Sequence, residues 1–318
     1  MSELTSFIFD GLPVRGMLVR LTDAWQEVLH RREAAGAFPP EVRALLGEMT
    51  AAAVLMQASI KFKGALVIQV FGDGPVKLAV AEVQPDLAFR ATAKVVGEVP
   101  PGAGLETLLN VHGQGRCAIT LDPLDRRPGQ QPYQGVVPLH GDQREPLQQL
   151  SQVLEHYLLQ SEQLDTRLVL AADDQMAAGL LIQRMPDEGP GRVSGERNED
   201  QIGRNEDFNR IAHLTATLTR DELLSLDADT LLHRLYWEEP LRRFEPRQPR
   251  FACSCGRERV RNMLRGLGAD EVRGIIAERG EVEVGCEFCG QQYRFDAVDV
   301  GEMFTPVRDQ PRNPAPLQ

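Results

Sequence analysis

Four of the chain's five cysteines fall in its last quarter, as Cys253-x-Cys255 and Cys286-x-x-Cys289 with thirty residues between the pairs. Two close pairs on either side of a small domain's worth of chain have the spacing of a tetrahedral four-cysteine site holding one Zn2+. The second pair, in GCEFCG, reads as a knuckle, a tight turn whose glycines let both sulfurs face one ion. The first pair is tighter. Alternate residues of a strand share a face, but sulfurs on Zn–S bonds of about 2.3 Å must close to roughly 3.8 Å of one another. A turn through Ser254 and Gly256 is therefore expected. Cysteines as close as Cys253 and Cys255 are also placed to form a disulfide with each other once a metal leaves. A static zinc site and a thiol switch are the two readings this pattern leaves.

A chain of 318 residues suggests two domains, or one large domain with a small appendage. Its 42% hydrophobic and 25% charged content fits a soluble globular protein. No apolar run approaches the length of a membrane span, and MSELTSFIFDG lacks the basic and apolar regions of a signal peptide. A cytoplasmic location is expected, where paired cysteines serve as metal ligands or redox centres more often than as structural disulfides. The net charge of −11 argues against a phosphate-binding surface spread over the molecule.

Residues 1–184 read as one mixed α/β domain. FIFDGLPVRGMLVRL is strand, turn at Gly11-Leu12-Pro13, strand; TDAWQEVLHRR starts a helix with Thr22 or Asp23 as its cap. Alanine-rich 41–60 is helical, interrupted at Gly47. Two β-branched runs around Gly72-Asp73-Gly74-Pro75 signal a hairpin. Strands follow at 88–96, 117–121 and 135–139, with a loop at 122–134. Leu147, Leu150, Leu154, Tyr157 and Leu158 recur at helical spacing, placing an amphipathic helix over 146–163. Two more strands are expected at 166–171 and 178–183.

Composition changes after Met185. The stretch 187–207 has Val193 and Ile202 as its aliphatic residues, with seven acidic and three arginine side chains, and is expected to be disordered. Residues 208–218 and 220–239 read as short helices, with a capping box of Thr219 and Glu222 between them. Leucines from Leu214 to Leu235, together with Tyr236 and Trp237, are too many apolar residues for a free tether. They should cover a hydrophobic face of the preceding domain. The region 251–304 reads as helices at 256–266 and 269–277, then strand, knuckle, strand. A core of that size is marginal without a staple, and zinc is the staple on offer.

Other chemistry is weaker. Residues 251–304 carry seven arginines against ten acidic side chains, and four thiolates around one Zn2+ add a further net −2, so no nucleic-acid partner is expected. Arg257, Arg259, Arg261 and Arg265 read as a solvated helix face paired with acids such as Glu258. Cys117 lies in a strand as a small buried residue rather than a nucleophile. His112 sits nearby in NVHGQG without a third orienting group. His156 and His213 fall in helices, and VHGQGR lacks the lysine and hydroxyl of a P-loop. No catalytic residues are assigned, and the chain is not expected to be an enzyme.

In this order the features resemble the redox-regulated 33-kDa heat-shock chaperone family. The resemblance rests on VRG at 14–16, YQGVVPL at 133–139, SEQLDTRL at 161–168, LLIQRMP at 180–186 and LLHRLYWEE at 231–239, together with the C-x-C and C-x-x-C pairs. It implies an α+β chain with a chaperone core (1–184), a metastable linker (185–250), a four-cysteine zinc redox-switch domain (251–304) and a flexible tail (305–318). By the same resemblance, Cys253, Cys255, Cys286 and Cys289 hold zinc in an inactive reduced form. Oxidants with heat then drive the disulfides Cys253–Cys255 and Cys286–Cys289, zinc leaves and the linker unravels. The product implied is an ATP-independent holdase for unfolding client proteins, a homodimer when active, with no membrane partner. Two features depart from the family: the polar insert around 187–207, and Cys117, which matches none of its motifs. The competing class is a constitutive zinc-stabilised module that binds protein or RNA.

Overall fold

The computed structural model describes residues 1–33, 36–125, 129–185 and 203–305. Its α+β chain divides into two compact units, one over Met1–Ala252 and a second beginning at Cys253.

In the first unit the elements run β1 (Glu3–Phe9), β2 (Val14–Leu21), α1 (Asp23–Glu33), α2 (Pro40–Ser59), β3 (Gly64–Phe71), β4 (Val76–Val83), β5 (Ala88–Val95), α3 (Leu105–Leu109), β6 (Arg116–Pro123), β7 (Tyr133–Pro138), α4 (Leu150–Glu162), β8 (Thr166–Ala172) and β9 (Ala177–Arg184). Then come α5 (Glu206–Ala216), α6 (Arg220–Ser225), α7 (Ala228–Tyr236), β10 (Leu241–Arg243) and β11 (Arg250–Phe251). The strands form a five-stranded sheet, β10-β1-β2-β9-β8, and a six-stranded sheet, β11-β5-β4-β3-β6-β7. All pairings are antiparallel except β11 with β5.

Helix α2 packs against strands of both sheets and is buried from Val42 to Gln57 at nearly every position. The run Ala51-Ala52-Ala53 keeps it thin enough to sit between them. Gly47 does not interrupt the helix. A Cβ there would lie 2.3 Å from the Ala172 Cβ and 3.2 Å from the Trp25 ring, so glycine permits the closest approach of α2 to its neighbours.

Alternation along the strands gives the five-stranded sheet a second apolar face. Met17, Val19 and Leu181 point into the α2 core, whereas Leu18, Leu180 and Ile182 point the other way. That outer face is covered by Phe208 and Ile211 of α5, Leu223 of α6, and Leu231, Leu232, Leu235 and Tyr236 of α7. Tyr236 packs edge-on against Phe9 at 5.0 Å and shares a buried 2.6 Å hydrogen bond with the Thr215 hydroxyl. The structure refines the expected helices here. α5 starts two residues before 208 because the Asn205 side chain accepts from the Phe208 N–H at 2.8 Å. The 220–239 helix is split at Leu226, whose extended backbone lets Asp227 cap α7. The Thr219–Glu222 capping box forms as expected, with bonds of 3.0 and 3.3 Å. Of the stretch 187–207 expected to be disordered, 187–202 lies outside the described residues, whereas 203–207 is ordered: Gly203 is bonded to Asp165, Asn205 caps α5, and Glu206 and Asp207 form its first turn. Residues 306–318 of the tail also lie outside the described residues.

Two polar contacts pin this cover. Asp165 and Arg184 form a buried ion pair at 2.7 Å, and the other Asp165 oxygen accepts the Gly203 N–H at 3.0 Å where the chain turns towards α5. Arg220 on α6 donates to the Ala172 carbonyl and faces Glu48 of α2, whose carboxyl burial pushes up to about 7.

The second unit comprises α8 (Arg257–Leu267), α9 (Ala269–Arg279), β12 (Val282–Gly285), β13 (Gln292–Phe295) and α10 (Ala297–Phe304). Its core is small: Leu264, Val272, Val282, Phe295, Val300 and Met303. Helix α10 stands where the sequence pattern continued the second strand. Asp296 caps it, accepting from Val298 and Asp299 N–H groups at 2.9 and 2.8 Å.

Two substitutions test this packing. Gly47→Leu should destabilise the first unit by several kcal/mol through overpacking, read as a lowered thermal midpoint. Folding raises the Glu48 pKa above its ordinary 4.5, so stability is fully present below 4.5 and falls as pH rises through about 7. Glu48→Gln should therefore raise the denaturant midpoint at pH 8 and change it little at pH 4.

Candidate metal centre

The first cysteine pair follows β11 on an irregular stretch; the expected turn through Ser254 and Gly256 does not form, and Gly256 is extended (φ −172°, ψ 156°) as the residue that opens α8. Arg259, one turn into α8, holds it by donating to the Ser254 hydroxyl at 2.8 Å. The second pair occupies the turn between β12 and β13. There the Cys286 N–H donates to the Gln291 carbonyl at 2.9 Å and the Gly290 N–H to the Cys286 carbonyl at 2.8 Å. Gly290 has φ +69°, a left-handed conformation that closes the knuckle and that glycine adopts at no steric cost.

The four Sγ atoms all lie within 4.8 Å of one another. Cys253 and Cys286 approach to 3.6 Å, Cys255 and Cys289 to 3.3 Å, and all four are free thiols. These separations bracket the spacing of about 3.8 Å set by four thiolates around Zn2+. The donor set is entirely soft sulfur, the set that zinc prefers in closed four-coordinate sites. The residues present thus fit the metal.

The hydroxyl of Tyr293, on β13, donates to the Cys255 Sγ at 3.1 Å. That bond is the main reason the Tyr293 pKa is pushed up; burial pushes up the Cys289 thiol. Sequence reasoning missed Tyr293. Its place follows from the hairpin register, which sets it opposite Val284 beside the knuckle.

The remaining candidates separate. Cys117, on β6, is fully buried in the α2 core, and desolvation lifts its pKa to about 12. His112 is exposed in its turn, with its backbone N–H bound to the Asp73 carboxylate at 3.0 Å. In the arginine cluster, Arg257 pairs with Asp299 at 2.7 Å, while Arg261 and Arg265 pair with Glu258 at 3.7 and 3.5 Å. It is the ion-paired helix face that the sequence suggested. Among the described residues no helix is long and apolar enough to cross a membrane.

A two-sheet unit joined in sequence to a small unit organised around four thiols defines a class of protein: a β-rich core with a metal-competent cysteine module. Comparison with known families narrows it. The Hsp33 protein family matches residues 2–296, and the chain belongs to that chaperone family. The chain is 46% identical over 303 residues to the 33 kDa chaperonin of Chromobacterium violaceum, covering 95% of this chain and 93% of that one. The 33 kDa chaperonin of Neisseria meningitidis serogroup A is 42% identical over 301 residues, with 94% and 90% covered. The crystal structure of the 33 kDa chaperonin from Thermotoga maritima shares the fold, with a TM-score of 0.74 at 20% identity over 95% of this chain and 97% of that one.

The burial difference predicts a thiol count. In reduced protein treated with chelator, a disulfide-exchange reagent should titrate four thiols readily, with Cys117 reacting only after denaturant is added. A fifth fast thiol in the native state would contradict the burial of Cys117.

Proposed function

We propose that the chain is a cytoplasmic, ATP-independent holdase that oxidation switches on. One arrangement carries the reading. The second unit has a small apolar core and four convergent thiols, and in sequence only the short segment 237–252 separates it from the helices that cover the outer face of the five-stranded sheet. Cys253, Cys255, Cys286 and Cys289 would hold the zinc. When bound, the ion keeps the thiolates deprotonated and cross-links the two cysteine segments; such structural sites contribute on the order of 10–16 kcal/mol.

Oxidation acts on the cysteines. One thiolate attacks a peroxide oxygen, giving sulfenic acid and releasing hydroxide; the second thiolate attacks that sulfur and expels a second hydroxide. Two thiolates and one peroxide thus become one disulfide and two hydroxides. The pairings proposed are Cys253–Cys255 and Cys286–Cys289. Each disulfide removes two of four donors, and a unit of this size cannot stay folded on its apolar core alone. Release of α5, α6 and α7 would then uncover Phe7, Leu18, Leu180 and Ile182 for unfolding client proteins. In this reading the active form is a homodimer, works without turnover chemistry and takes no nucleic acid. The alternative is a zinc-stabilised module that binds its protein or RNA partner constitutively.

One experiment separates them. Metal content, free thiols, light scattering of a heat-aggregating client and amide exchange over 206–236 are followed before and after peroxide with heat. The switch predicts one zinc per reduced chain, loss of that zinc with four thiols, loss of protection over 206–236, and suppression of aggregation only afterwards. Equal suppression in reductant, or zinc retained through oxidation, would falsify it.

A further inference from the structure

Residues 240–252 close a free edge on each of the two sheets. β10 pairs with β1 through Leu241, Arg242 and Arg243, and β11 pairs in parallel with β5 through Arg250 and Phe251. Between them Arg247 and Leu4 exchange both backbone hydrogen bonds, at 2.9 and 2.8 Å. Phe244 donates from its backbone to Ser6 at 2.9 Å, Arg250 to Leu87 at 3.2 Å and Ala252 to Phe89 at 2.9 Å. Side chains anchor the two ends of the segment, where Leu241 packs against the outer-face core and Phe251 against the α2 core. Between them every residue from Arg242 to Gln248 is exposed, and Pro249 is buried. The ion pairs Arg242–Asp10 and Arg250–Asp86 lie at the surface, where such pairs are weak. The β1 and β5 edges therefore grip an extended chain largely by its backbone, with one apolar side chain seated at each edge and little demand on the sequence between.

We propose that these two edges, vacated by 240–252, bind extended segments of unfolding proteins by strand addition. The inference rests on the linker-release reading above and names the contact through which clients are held. An open sheet edge offers a row of unpaired N–H and C=O groups, and main-chain hydrogen bonding supplies affinity in this mode of recognition. An unfolding protein presents the complementary groups whatever its sequence. Asp10 and Asp86, which face arginines of the covering segment, favour neutral or basic client segments over acidic ones.

The test uses the full-length protein, activated by peroxide and heat, with labelled reduced and carboxamidomethylated ribonuclease A as a permanently unfolded, basic probe. Two synthetic peptides of residues 240–252 compete with it. One is unmodified; the other is N-methylated at Phe244, Arg247, Arg250 and Ala252, whose amides donate to the sheet edges. The unmodified peptide should displace the probe and the methylated one should not. Equal displacement by both, or by neither, overturns the proposal. It is also overturned if the unmodified peptide converts a dimer to monomer while the probe stays bound, since the edges then serve a second copy. Amide exchange over 240–252 in the same samples separates the two levels. Protection that survives oxidation defeats the linker-release reading and this proposal with it. Loss of protection with displacement indifferent to methylation defeats the edge proposal alone.

Discussion

A sheet with two apolar faces needs two covers, and the five-stranded sheet has them. β9 is buried along its whole length because α2 lies on one side and α5, α6 and α7 on the other. The covers are unequal. α2 is a twenty-residue helix with both sheets against it, whereas α5, α6 and α7 have eleven, six and nine residues. Isolated helices of that length are marginal in water, so their order depends on docking. Folding of the cover and concealment of the outer face are thus one equilibrium.

Polar contacts set where the cover sits. Asp165 and Arg184 make a buried pair that also fixes Gly203, the Arg220 guanidinium reaches the Ala172 carbonyl, and the Thr215–Tyr236 bond ties α5 to α7. A buried pair adds little net stability over an apolar one, yet losing one partner is costly because the other charge is stranded. These contacts therefore act on registry: they make a single docked arrangement preferable to the many by which a leucine-rich segment can cover an apolar sheet. Glu48 runs against that trend, since burial disfavours its charged form beside the docked helix. A cover that carries such a cost lies nearer to release than its apolar area implies.

What the sequence made legible was local. Strand alternation, the helix of 41–60, the Thr219–Glu222 capping box and the cysteine spacing all write their signal within a few residues. The features that escaped depend on partners distant in the chain. Gly47 reads as a helix breaker until Ala172 and Trp25 are known to press on it. Leu241-Arg242-Arg243 and Arg250-Phe251 carry no strand pattern and become strands because β1 and β5 have open edges beside them. Asp165 and Arg184 lie within motifs that supported the family resemblance, SEQLDTRL and LLIQRMP, but their contact is a product of the fold. α10 is the exception. Asp296 and Asp299 spell a capping box within three residues, a local signal that the strand pattern of Tyr293 and Phe295 masks.

The proposed disulfides raise a question of geometry that chain connectivity answers. In the folded second unit the shortest sulfur contacts cross the pairs, Cys253 with Cys286 and Cys255 with Cys289. Were oxidation governed by folded proximity alone, cross-linked products would compete, and they would staple the unit rather than open it. Partners within a pair are two or three residues apart, whereas the crossing partners are thirty-three and thirty-four apart. As soon as the unit loosens, the crossing sulfurs separate with the chain and the close pairs cannot. Loop closure then favours Cys253–Cys255 and Cys286–Cys289, although loops this short carry strain of their own. On the proposed switch, the outcome of oxidation would then be tied to the order of events: a unit that loosens before its second bond forms would yield the pairs that keep it open. Heat would act with the oxidant by populating the loosened state in which the pairing is decided.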